Sequence, residues 1–101
     1  MDDKQFEDAF TAAGGWFILT QYEEIADHDG EVSDLVERMF SKGFDSKKSG
    51  TSTRVSSVLR IIRNGRGKEA LEKIRDSNMI NAQHPDAIKL ASKIIAKRFQ
   101  R

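Results

Sequence analysis

Apolar residues recur along this chain with helical spacing, and no segment alternates with period two over the length of a strand. Phe6, Ala9, Phe10 and Ala13 fall at i, i+3, i+4 and i+7 and predict a helix from Asp3 to Ala13, with Asp2 or Asp3 suited to its positive end. Gly14-Gly15 interrupts the pattern. It resumes over Trp16 to Ala26, where Ile18, Leu19, Tyr22 and Ile25 make a stripe and Gln21, Glu23 and Glu24 take the solvent side. Asp27-His28-Asp29-Gly30 reads as a turn, with Asp29 capping a third helix from Glu31 to Lys42. Val32, Leu35, Val36, Met39 and Phe40 form its apolar face; Gly43 suits a left-handed cap, and Phe44 can fold back onto Met39 or Phe40.

Residues 45–50 read as a polar, flexible, basic loop ahead of the best amphipathic stretch, Thr51 to Gly65. There Val55, Val58, Leu59 and Ile62 make the predicted buried stripe, and a hydroxyl of Thr51, Ser52 or Thr53 can cap the start. Ser57, Arg60 and Asn64 project from the opposite side, Arg54 and Arg63 from the flanks, and Ile61 falls off the stripe as an exposed contact residue. A fifth helix covers Lys68 to Asp76, with Ala70, Leu71 and Ile74 inward and Glu69–Lys73 as an i, i+4 ion pair. Ser77 to Gln83 is a connector that tucks Met79 and Ile80 into the core. Pro85 and Asp86 open a last helix with a wide buried face of Ala87, Ile88, Leu90, Ala91, Ile94, Ile95 and Phe99, and a basic stripe of Lys89, Lys93, Lys97 and Arg101. The fold class expected is all-α: a compact bundle of five to six short helices in a single domain over residues 1–101.

Composition narrows the functional classes. There is no cysteine, which excludes disulfides and thiol chemistry. The acidic N-terminus lacks a signal-peptide pattern and the longest apolar run is Trp16 to Leu19, so a cytoplasmic protein that does not engage the membrane is expected. Charge is sharply segregated beneath a net value of +1. Residues 1–46 hold three Lys/Arg against twelve Asp/Glu, or −9; residues 47–101 hold fourteen against four, or +10. The halves either attract each other, within one fold or between two copies of it, or present a cationic face to an anionic partner.

No catalytic or metal motif stands out. Asp27-His28-Asp29-Gly30-Glu31 has the wrong spacing for a calcium loop, because its glycine comes too early and its twelfth position is Arg38. Two histidines without cysteine make a poor transition-metal set. Gly65-Arg66-Gly67-Lys68 lacks the phosphate-loop spacing, and no Gly-x-Ser-x-Gly elbow occurs. The chain therefore reads as a non-enzyme with no cofactor, no metal and no evident small-molecule substrate. Its first expected role is a helical interaction or adaptor module, with a protein partner or self-association. The alternative is a helix-turn-helix-like regulatory domain that binds DNA through helix 51–64, using Lys47, Lys48, Arg54, Ser57, Arg60, Arg63 and Asn64. Two registers fit it. Helix 31–42 supports and 51–64 recognises, the preferred one despite a long loop, or 51–64 supports and 67–76 recognises across a short turn.

Overall fold

Asp2 accepts the backbone N–H of Gln5 at 2.7 Å while the Gln5 side chain accepts the N–H of Asp2 at 3.0 Å. This reciprocal capping box launches the first helix at the residue its sequence predicts. In the computed structural model, which describes residues 1–99, seven helices follow one another and no strand is present among the described residues. They are α1 (Asp3–Ala13), α2 (Gly15–Ala26), α3 (Val32–Phe40), α4 (Lys48–Arg63), α5 (Gly67–Arg75), α6 (Asn78–Gln83) and α7 (Ala87–Phe99). Arg101, the last member of the predicted basic stripe, lies outside the described residues.

The axis of the bundle is α2. It buries Phe17, Ile18, Leu19, Gln21, Tyr22 and Ile25 and packs against α1, α4, α5 and α7. α1 runs antiparallel to α4, since Met1 lies beside Asn64 and the end of α1 at Ala13 meets Arg54. α3 lies on α4, and α5 pairs extensively with α7. One hydrophobic core results, in a body of 30 × 28 × 26 Å with a radius of gyration of 13.0 Å, the size expected of a single domain of about 100 residues.

Two glycines are required by this packing. Gly14, at φ +83°, turns the chain between α1 and α2 in a conformation other residues avoid. Gly67 opens α5 directly against Tyr22, and a Cβ there would lie 2.0 Å from the phenolic oxygen.

Several local expectations need correcting. Helix α4 begins at Lys48 and absorbs half of the predicted loop, with Gly50 seated closely over the Asp45 side chain. Its buried arc is also rotated. Ile61 is 1% exposed and Thr51 and Ser57 are buried, whereas Leu59 and Ile62 are only half-buried. The five apolar residues of α4 span a broad arc, and α1 packs on the side carrying Arg54 and Ile61. Burying an isoleucine is worth about 1.5–3 kcal/mol, so this docking outweighs exclusion of two small hydroxyl side chains that satisfy their own polar groups. Thr51 Oγ1 donates to Asp45 at 3.0 Å and Ser57 Oγ donates to the Thr53 carbonyl at 2.8 Å.

Other differences are equally specific. Gln21 is buried rather than solvated, and its side-chain oxygen accepts Lys42 Nζ at 2.7 Å. Asp29 does not cap α3; Glu31 occupies the cap position, and its carbonyl accepts His28 Nε2–H at 2.9 Å. Phe44 packs edge-on against Phe17, at 5.0 Å between centroids. The connector after α5 folds as α6, capped by Ser77, and only Ile80 of its two predicted core residues tucks in, while Met79 is 71% exposed. On α3 and α7, Val32, Ile88, Leu90 and Phe99 stay exposed because their helices pack along narrower faces than the apolar residues would allow.

Gly67→Ala should destabilise the protein by about 1–3 kcal/mol, the usual cost of overpacking, as measured by urea unfolding. In a Tyr22→Phe background, which removes the oxygen that the new methyl meets first, the same substitution should cost clearly less.

Candidate nucleic-acid interface

The segregated charges find each other. Arg66 donates to Asp3 at 3.0 Å and to Glu69, with its guanidinium 4.2 Å from the Phe6 ring centroid. Lys73 pairs with Glu7 at 3.0 Å instead of with Glu69, and lies over the Phe10 ring. Lys97 and Arg98 both reach Glu23 at 3.0 Å, and Arg98 also holds Asp27 at 2.5 Å. Lys48 is bound to Glu37. Within the N-terminal half, Glu24 takes Arg38 and Lys42, each at 2.6 Å. The Lys42 and Arg38 hydrogen bonds hold the Glu24 carboxyl below its usual range against the opposing effect of burial, and Lys97 and Arg98 do the same for Glu23.

Arg54 is the most deeply engaged of the predicted site residues. Its Nε donates to both Asp45 oxygens at 3.0 and 3.1 Å, and its Nη1 donates to the Ala13 carbonyl at 2.5 Å. The guanidinium carbon lies 5.7 Å from the Phe17 ring centroid. A cation at the carbonyl end of α1 also complements the helix dipole. Arg54 is therefore a structural junction, and its assignment to a partner-facing surface is corrected. Ser57 is corrected likewise, being buried and bonded to its own helix. Asn64 is exposed, but its amide caps α4 by donating to the Arg60 carbonyl at 2.7 Å, and its oxygen faces the Met1 amine at 3.4 Å.

What remains on α4 is a coherent surface. Ser49, Ser52, Thr53, Ser56, Arg60 and Arg63 are all exposed, and their i, i+3, i+4 spacing aligns them on one face. They span about 21 Å at 1.5 Å per residue. The helix contains no Asp or Glu, and Arg60 and Arg63 make no ion pair among the described residues. Lys47, exposed at the N-cap position and likewise unpaired, marks the other end. The hydroxyl face was missed by following the apolar stripe alone; its signal is the Ser/Thr repeat at 49, 52, 53 and 56, the polar complement of that stripe.

Of the two helix-turn-helix registers, α3–α4 is separated by residues 41–47 and α4–α5 by residues 64–66. On α5, Glu69 and Arg75 are paired locally, with Arg66 and Asp76, and Lys73 with Glu7 of α1, while Lys68 and Glu72 make no ion pair among the described residues. An open groove of about 520 Å³ runs between α3 and α4, lined by Val32, Ser33, Val36, Lys48, Ser49 and Ser52. Among the described residues no group of three or more His, Cys, Asp or Glu is placed to hold a metal ion, and no helix is long and apolar enough to cross a membrane. No family model, curated protein or solved structure matches the chain.

Arg54→Ala should cost about 2 kcal/mol or more, since it strands the Ala13 carbonyl and leaves the Asp45 carboxylate with only the Thr51 hydroxyl. Arg60→Ala with Arg63→Ala should stay within about 0.5 kcal/mol of the parent. Equilibrium unfolding of both variants measures the contrast. For Glu24, a folded pKa held low contributes stability above the unfolded value, and that stability disappears as pH falls through the folded one. Glu24→Gln should therefore be less stable at neutral pH and should lose less than the parent on acidification below about 4.5, the usual glutamate value. Thermal melts across that range report the difference.

Proposed function

We propose that this chain is a non-catalytic binding module whose working surface is the outer face of α4, and that the partner fitting this surface is the phosphate backbone of duplex DNA. The observation that carries the reading is the survival of Arg60 and Arg63 as unpaired cations on an acid-free helix, while most of the second half's other cations are consumed by carboxylates of the same chain. Exposed serine and threonine hydroxyls beside them suit phosphate oxygens, which accept from hydroxyls and guanidinium groups alike. Only two long side chains on the face reach toward base edges, and no aromatic residue accompanies them, so the contacts are mainly to the backbone and carry little sequence information.

The face is smaller than the sequence alone suggests, because Arg54 and Lys48 are engaged elsewhere. Lys47, Arg60 and Arg63 are the remaining cations of the predicted set. Three phosphate contacts correspond to a slope of about −3 in log affinity against log salt. Fluorescence anisotropy with mixed-sequence duplex DNA at low salt should show binding with about that slope. Arg60→Glu combined with Arg63→Glu should abolish it, and Arg75→Glu should not. Absence of binding at tens of micromolar protein, or binding indifferent to the α4 reversal, would refute the reading.

A further inference from the structure

A second surface lies between α2 and α7. Leu19, Thr20 and Glu23 of α2 and Leu90, Lys93 and Ile94 of α7 line a groove of about 290 Å³. Leu19 and Ile94 give it an apolar floor, and Leu90 stands 38% exposed on its wall. The groove's one carboxylate, Glu23, is neutralised by Lys97 and Arg98. Lys93, and Lys89 one turn earlier on α7, make no ion pair among the described residues, so the rim is net positive.

The same pairing pattern leaves a complementary segment elsewhere in the chain. Asp29, Glu31 and Asp34 are exposed and likewise unpaired, and they surround Val32, which is 39% exposed at the start of α3. Every other carboxylate of residues 1–46 has a cation partner, except Asp2, which caps α1. We infer that the chain pairs with a second copy of itself, the acidic Asp29–Asp34 segment of each copy seating against the Lys89/Leu90/Lys93 rim of the other. Within one molecule the acidic segment begins close to the C-terminal end of α7, where Arg98 holds Asp27 at 2.5 Å, two residues before Asp29. In the inferred assembly a two-fold axis relates the copies, so that each contact forms twice and the assembly closes as a dimer. The inference uses no α4 residue and stands independently of DNA binding.

Charge reversal tests it in a way that separates lost contacts from lost folding. In sedimentation velocity at low salt, the full chain should form a concentration-dependent dimer. That dimer should dissociate at about 0.5 M salt, where the screening length falls to roughly 4 Å. Lys89→Glu with Lys93→Glu, and separately Glu31→Lys with Asp34→Lys, should each give monomers, since both contacts of either homodimer then oppose like charges. An equimolar mixture of the two variants should dimerise again, one contact native and the other reversed on both sides. Arg60→Glu with Arg63→Glu should leave the dimer intact. A parent chain that stays monomeric at low salt, a mixture that stays monomeric, or loss of the dimer on reversing Arg60 and Arg63 would each overturn the proposal.

Discussion

Four segments of the chain meet at the guanidinium of Arg54. It closes the carbonyl end of α1 at Ala13, lies against Phe17 of α2, and holds Asp45 in the link ahead of α4. Gly14 makes this approach possible, since a Cβ there would come within 2.9 Å of the same guanidinium. The break between α1 and α2 and the docking of α4 are thus one constraint. Once Arg54 is fixed, the rotation of α4 is fixed with it. Ile61 turns inward, Ser57 follows it into the interface, and the hydroxyl row with Arg60 and Arg63 turns outward.

The same logic runs through the other ion pairs. The chain carries −9 in its first 46 residues and +10 in the rest, and folding brings much of that opposite charge into contact. Arg66, Lys73, Lys97 and Arg98 each span between sequence-distant helices rather than along one helix. Single exposed pairs of this kind add little stability, about 0–1 kcal/mol; Arg66 and Lys73 also lie over the rings of Phe6 and Phe10. Their larger consequence is selection. With Lys48, Arg54 and Arg75 they take seven of the second half's cations out of the set available to a partner, and among the described residues they leave the outer face of α4, the rim of α7 and Lys68 at the start of α5 uncompensated.

Much of the architecture is legible in the sequence, because helical periodicity and glycine placement are local signals. The bounds of α1 match, the predicted cores of α1 and α5 are buried, and Gly43 adopts its expected left-handed turn at φ +86°. What the pattern did not reveal depends on neighbours. Whether Leu59 or Ile61 faces inward is undecided on α4 alone, since both extend its apolar arc, and α1 makes the choice. The Glu69–Lys73 pair is sound within an isolated helix, but Arg66 and Glu7 compete for its members from outside. The apolar residues of α7 exceed what its partners cover, which periodicity cannot foresee. Of the residues read as a candidate site, Arg60 and Arg63 are exposed, while Arg54 and Lys48 are engaged by Asp45 and Glu37 and Ser57 is buried.

The division between committed and available cations is the claim on which the functional reading turns, and exchange of the arginine Nε protons with solvent, followed by NMR, observes it one side chain at a time. Arg54, Arg66 and Arg98, whose Nε–H groups are hydrogen-bonded to carboxylates, should exchange slowly. Arg60 and Arg63 should exchange as fast as a free arginine. Protection of Arg60 and Arg63, or fast exchange at Arg54, would contradict the account.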